Sequence, residues 1–162
     1  MTRAAVALSL LLAACSPARD VRDEDAAGKA LETAARAAGI VGDRAADATG
    51  IYAVGEDRLC LTGTAPRYRI GVSVDFGEGQ RCVAHGTAQG RDALAIDLGD
   101  GCRFTASRTG DRLLFPVRTP PACARACQGR ATLDTLVLDR LSEASGEATR
   151  LRGADGRLLC AD

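Results

Sequence analysis

Tryptophan is absent from this 162-residue chain, and the other aromatic residues are only Tyr52, Tyr68, Phe76, Phe104 and Phe115. Large aromatic side chains each bury about 150–250 Å², so a core with so few of them must be built from Leu, Val, Ile and Ala and is thin. Net charge is also missing: 21 Lys and Arg balance 21 Asp and Glu, which removes any global field steering the protein toward nucleic acid or anionic lipid. His85 is the only histidine and Lys29 the only lysine. A zinc site needing paired histidines is therefore excluded, and the cysteines have neither zinc-ribbon spacing nor a Cys-x-x-Cys redox pair. No G-x-S-x-G nucleophile elbow occurs, and after the first fourteen residues no apolar run approaches membrane-spanning length.

What is present begins with Arg3 and the apolar run 4–12, followed by Leu12-Ala13-Ala14-Cys15. The run is too short to cross a hydrocarbon core of about 30 Å, so it reads as a targeting signal. A secretory signal cleaved at the small residues is one reading. The Cys directly after Leu-Ala-Ala instead resembles the lipobox of bacterial lipoprotein signal peptides. That resemblance implies removal of residues 1–14 and lipidation of Cys15, which becomes the attachment to the membrane. Ser16, rather than the Asp that would retain such a lipoprotein at the inner membrane, implies the outer membrane, facing the periplasm. Two or three acyl chains, at about 0.8 kcal/mol per buried CH₂, hold a domain at a bilayer unaided.

Setting Cys15 aside leaves Cys60, Cys82, Cys102, Cys123, Cys127 and Cys160, an even number that reads as three disulfides in an exported chain. Cys82 and Cys102 fall on expected strands flanking a third, about 9.6 Å apart, beyond the roughly 7 Å that a bridge tolerates. Cys123-x-x-x-Cys127 places both sulfurs on one face of a helical turn, from which each can reach one of them. Cys60 is then left for Cys160.

Along the chain, residues 15–23 read as a tether. In residues 24–49, a helix and linker, Ala27, Leu31, Ala34, Ala38 and Val41 recur at spacings of three and four, with Asp23, Glu24 and Asp25 at the N-terminal end and Gly39 and Gly42 as stops. Residues 50–162 read as a disulfide-stapled β domain. Strands are expected at 50–54, 58–62, 67–76, 80–88, 92–98, 102–106 and 112–117, separated by short glycine-containing turns. In the third, Ile70, Val72, Val74 and Phe76 share a face. Residues 130–141 fit neither period cleanly and are read as a long strand, with a helix as the alternative. Residues 142–151 have helical composition broken by Gly146, and 156–160 read as a short last strand. The fold class is mainly β: an antiparallel meander curling into a small barrel or sandwich, with an N-terminal Ala-rich helix.

Candidate chemistry is sparse. His85 lies on the strand face opposite Cys82. Ser73 and Asp75 are the residues that a Ser-His-Asp set would recruit, but both occupy ordinary alternating positions, so the expectation is an exposed strand histidine. Asp97 and Asp100 among glycines suit a turn better than a calcium loop, for want of alternating ligands and a closing Glu. Neither a metal nor a cofactor is expected. Asp75, Glu78 and Arg81 would present charges on a hairpin tip, where binding residues are often placed. A small lipid-anchored, stapled β domain resembles in its architecture the periplasmic lysozyme-inhibitor lipoproteins of the membrane-bound C-type class. No residue of that family's Ser- and Lys-containing motifs can be placed here, since the one lysine is Lys29. The expected function is a non-enzymatic envelope lipoprotein that binds a protein or envelope component. An inhibitor of a cell-wall hydrolase is the alternative, and a hydrolase using His85 comes after it.

Overall fold

The computed structural model describes residues 21–37 and 47–160, so the expected signal, Cys15 and the helix stops at Gly39 and Gly42 lie outside the described residues. The chain divides into two units, residues 1–42 and 43–162. In the first, helix α1 spans Val21–Ala37, starting three residues before the expected boundary, inside what reads as tether. Its Leu31 is 73% exposed. No helix among the described residues is long and apolar enough to cross a membrane.

The second unit is a closed antiparallel barrel of eight strands in sequential order: β1 (Gly50–Val54), β2 (Asp57–Thr64), β3 (Arg67–Asp75), β4 (Arg81–Gly90), β5 (Ala93–Asp97), β6 (Arg103–Thr109), β7 (Arg112–Leu114) and β8 (Val137–Ser142). β8 pairs back onto β1, with a register shift between Ile51 and Tyr52, so the expected meander closes as a barrel rather than a sandwich. The alternation of β3 shows why. Tyr68, Ile70, Val72 and Val74 all point inward and are buried, and Leu59 and Leu61 from β2 meet them. Leu94, Ile96, Leu113 and Leu138 complete the aliphatic filling, while Phe104 and Phe115 stack 4.8 Å apart at a 59° tilt. Phe76, expected on the same face, falls beyond the end of β3 and is 54% exposed, because the chain has already begun its turn there.

The two ends of the barrel differ. One is closed by residues 115–136, which carry a 3₁₀ turn at Pro121–Ala126. Two disulfides, Cys82–Cys127 and Cys102–Cys123, staple this excursion to β4 and to the β5–β6 turn. They sit where support is needed. β5 pairs with β4 only over residues 87–90, so the lower half of β4 would otherwise have no neighbour on that side. Residues 130–141 are not one long strand. Thr135 has φ of 56°, and the Asp134 carboxylate accepts from Thr119 N (2.8 Å) and Thr119 Oγ1 (2.6 Å), so the backbone turns before β8 begins. That turn explains why the apolar positions Leu133, Leu136 and Leu138, all buried, fit no single period.

These bonds hold the Asp134 carboxyl below its usual range, the Thr119 hydroxyl contributing most. A depressed folded pKa gives stability that is present above the unfolded value, about 3.9, and lost as pH falls below it. Hydrogen exchange is expected to show residues 115–136 loosening below about pH 4, and Asp134→Ala to abolish that pH dependence while costing about 1–2 kcal/mol at pH 7.

The other end is polar. Arg108 and Arg140 share the inward parity of Ala106 and Leu138, and both guanidinium groups are buried. Arg108 donates to the carbonyls of Arg91 (3.0 Å) and Gly110 (3.1 Å) and meets Asp92 at 3.3 Å. Arg140 donates to Asp111 (2.6 Å) and to the Asp47 carbonyl (3.0 Å), and lies 5.9 Å from the centre of the Tyr52 ring. The Tyr52 hydroxyl donates to the Ala48 carbonyl, and Ala48 N–H donates to the Tyr68 hydroxyl, so the chain entering β1 plugs this mouth. Burial raises the Tyr52 pKa to about 12, against the lowering influence of Arg140.

Residues 143–160 form a strap over the outside of the barrel. Helix α2 (Ser145–Ala148), one turn long, buries Ala148, and Leu159 and Cys160 join Cys60 in a small second core with Ile51, Val83 and Leu151 at its margin. The expected last strand at 156–160 is absent; the chain instead turns at Gly153–Gly156 with a single bridge between Arg152 and Leu158. Cys60–Cys160, the pairing expected from the cysteine geometry, locks the strap down, and the structure assigns the pairs that the sequence left open, Cys82 to Cys127 and Cys102 to Cys123.

Candidate functional site

The outside of the barrel is divided by the strap. On β3, Gly71 and Ser73 face outward yet are buried, because the strap lies directly on them. A Cβ at Gly71 would stand 2.1 Å from the Leu159 carbonyl oxygen, so only glycine permits that approach. Ser73 Oγ accepts from Ala154 N–H at 2.8 Å, and His85 Nδ1–H donates to the Leu159 carbonyl at 2.8 Å. The three groups that a triad would recruit are thus placed differently: Ser73 and His85 hold the strap, while Asp75 Oδ1 accepts from Gly77 N in the β3–β4 turn. His85 is exposed in its strand as expected, and its bond to the strap was not visible in sequence. Gly71→Val is expected to lift Leu159 off the sheet, costing about 1–3 kcal/mol, as overpacking does. Limited proteolysis within 143–160, faster than in the parent protein, is the measurement.

Beyond the strap, nothing else among residues 47–160 covers the outer face of β3–β6. Two adjoining clefts lie there and share Thr87. One, of about 290 Å³, is lined by Arg69, His85, Gly86, Leu159 and Cys160; the other, of about 460 Å³, by Gln89, Ala95, Asp97, Arg103 and Thr105. Together they make a trough. Its central row runs across four strands through direct register partners, Arg69 to Thr87, Thr87 to Asp97 and Asp97 to Arg103. Arg103 Nε donates to Asp97 Oδ2 at 2.7 Å and Gly99 N to Asp97 Oδ1 at 2.9 Å, which holds the Asp97 carboxyl below its usual range. Asp97 is thereby committed to its turn, and Asp100 sits in the left-handed region at φ 50°. No group of three or more metal-ligating side chains occurs among the described residues.

The hairpin tip is a separate surface. Arg81 lies six residues from Thr87 along β4, about 20 Å at the usual rise per residue. There Asp75 N donates to Asp57 Oδ1 (3.0 Å), the Arg81 carbonyl accepts from Gln128 N (2.7 Å), and Glu78 is exposed at φ 51°. The structure therefore braces Asp75 and Arg81 through their backbone and turn bonds and leaves Glu78 facing solvent. A smaller cleft of about 140 Å³ lies in the stapled loop between Thr119, Cys123, Leu133 and Asp134. The trough escaped sequence reading because it gathers ordinary polar residues from four strands, none of which forms a local motif. No protein-family model, curated protein or solved structure matches this chain.

Proposed function

We propose that this protein is a lipid-anchored envelope lipoprotein, tethered through Cys15 and working as a non-enzymatic binding module whose partner seats in the trough on β3–β6. The observation that carries the reading is where open space remains. Leu59, Leu61, Ile70, Val72, Leu94, Leu113 and Leu138 fill the barrel interior, and the strap covers the outer face at Gly71 and Ser73. A barrel of eight strands has room inside for its own side chains or for one small ligand, and here the side chains take the room, which favours recognition on the outside. The trough offers hydrogen-bonding and charged groups on a rigid sheet, an arrangement suited to holding a ligand in one orientation.

A photo-crosslinking residue at Thr87, in the chain expressed with its N-terminal segment in a bacterial envelope, is expected to give a discrete adduct. The same residue at Thr149 on the strap serves as control. A Cys15→Ala variant should lose palmitate labelling and leave the membrane fraction. Equal labelling from Thr87 and Thr149, or retention of palmitate by Cys15→Ala, would contradict the reading.

A further inference from the structure

We infer that the Cys82–Cys127 disulfide is a redox latch, opened by a dithiol reductant that attacks the Cys127 sulfur. Access is the first ground. Cys60, Cys82, Cys102, Cys123 and Cys160 are all buried, and Cys127 alone among the six paired cysteines is not. It lines the cleft of about 140 Å³ in the stapled loop, beside Pro120, Ala124 and Leu133. Cys123 borders the same cleft and Cys160 borders one in the trough, yet these two are only 2% and 4% exposed. Asp134, the one carboxylate lining the stapled-loop cleft, is already engaged by Thr119 N and Oγ1. A thiolate arriving from solvent therefore meets Cys127 first.

What the bridge holds is the second ground. β5 pairs with β4 only from Thr87 onward, and the lower half of β4 is braced on that side by the end of the excursion. Cys82 and Cys127 pair through their backbones as well as their sulfurs, Gln128 N–H donates to the Arg81 carbonyl at 2.7 Å, and Arg130 N–H donates to Gln80 Oε1 at 3.3 Å. Cys102–Cys123 is a separate bridge, so it keeps the rest of the excursion docked when the first one opens. The release is local: residues 127–130 come away and the edge of β4 is bared. In the exchange, one thiolate of the reductant bonds to Cys127 Sγ, and the electron pair of the broken S–S bond goes to Cys82 Sγ, which leaves as a thiolate and takes up a proton. The second thiol of the reductant then attacks the mixed disulfide, Cys127 departs as a thiol, and the reductant leaves as its own disulfide. Two electrons and two protons have passed from the dithiol to the protein. In oxidising surroundings the latch stays closed until such a dithiol is delivered to it.

The test exposes the full chain, oxidised and purified in detergent, to graded dithiothreitol, traps free thiols with iodoacetamide and maps them by mass spectrometry. Cys82 and Cys127 are expected to be labelled together, about tenfold or more ahead of the other four, at a rate that low urea does not change. In the partly reduced protein, amide exchange at Gln128 should rise, while Cys123, whose N–H is bonded to the Pro120 carbonyl, stays protected. Two single variants identify the sulfur attacked. The thiol that Cys82→Ala leaves at Cys127 should react with iodoacetamide about tenfold faster than the thiol that Cys127→Ala leaves at Cys82. Release of all six cysteines at one rate, release led by either other bridge, or no labelling short of unfolding would overturn the inference, as would equal reactivity of the two single thiols. The order of release in the parent protein decides the matter even if neither variant folds.

Discussion

Replacing Cys82, Cys102, Cys123 and Cys127 together by alanine is expected to lower the thermal midpoint by roughly 15–30 °C, since each bridge contributes about 2–4 kcal/mol and 1 kcal/mol shifts a domain of this size by about 4 °C. The two bridges close segments of 45 and 21 residues. They also hold the excursion 115–136 against β4, where β5 provides no ladder partner. Without them Leu133, Leu136 and Phe115 lose their cover and that end of the barrel opens. Differential scanning calorimetry on the alanine variant measures the loss. Removing only Cys60 and Cys160 should act differently: the strap frees its end while the barrel keeps its closure, so proteolysis within 143–160 rises before the main transition moves.

Arg140→Ala is expected to cost about 2–4 kcal/mol, from buried carbonyl acceptors left without a donor and the packing lost with the side chain, since its carboxylate partner Asp111 is exposed to water. Its guanidinium joins Asp111, the Asp47 and Thr49 carbonyls and the Tyr52 ring at the polar mouth. Deleting it strands those carbonyls beneath the plug at Ala48 and removes the cation that opposes the burial-driven rise of the Tyr52 pKa. Chemical denaturation gives the first quantity; the ultraviolet titration of tyrosine, moved further up in the variant, gives the second. Arg140→Leu should recover part of the stability by refilling the space, but not the hydrogen bonds.

Much of the barrel was legible in the chain because its strands are half-buried ribbons with a period of two. Tyr68, Ile70, Val72 and Val74 alternate with polar or small residues, and glycine turns separate the hairpins. Part of the cysteine pairing was legible for a related reason: once strand order is known, interstrand distance forbids Cys82–Cys102, though which of Cys123 and Cys127 meets Cys82 is settled only by the path of the excursion. The strap was not, because its contacts join positions 74–100 residues apart, among them a backbone carbonyl and a glycine. Its trace in the sequence is slight: Gly71 and Ser73 are small residues at outward positions beside the apolar outward residue Val83. The buried arginines broke the rule that charge faces water. Counting by two from Ala106 and Leu138 places Arg108 and Arg140 inside, but only the ring of turn carbonyls at that mouth makes such a placement tolerable. The candidate binding residues at the hairpin tip were chosen for exposure, whereas the trough is defined by what the strap leaves bare, a property of the assembled sheet alone.

The most direct test of the proposed role is hydroxyl-radical footprinting of the lipidated protein in its own envelope, compared with the protein purified in detergent. With the partner seated on β3–β6, labelling of His85 should fall severalfold in the envelope, while the exposed Phe76 and Leu141 are labelled equally in both. Unchanged labelling of His85 combined with protection of Phe76 would place the binding surface at the hairpin tip and contradict the account.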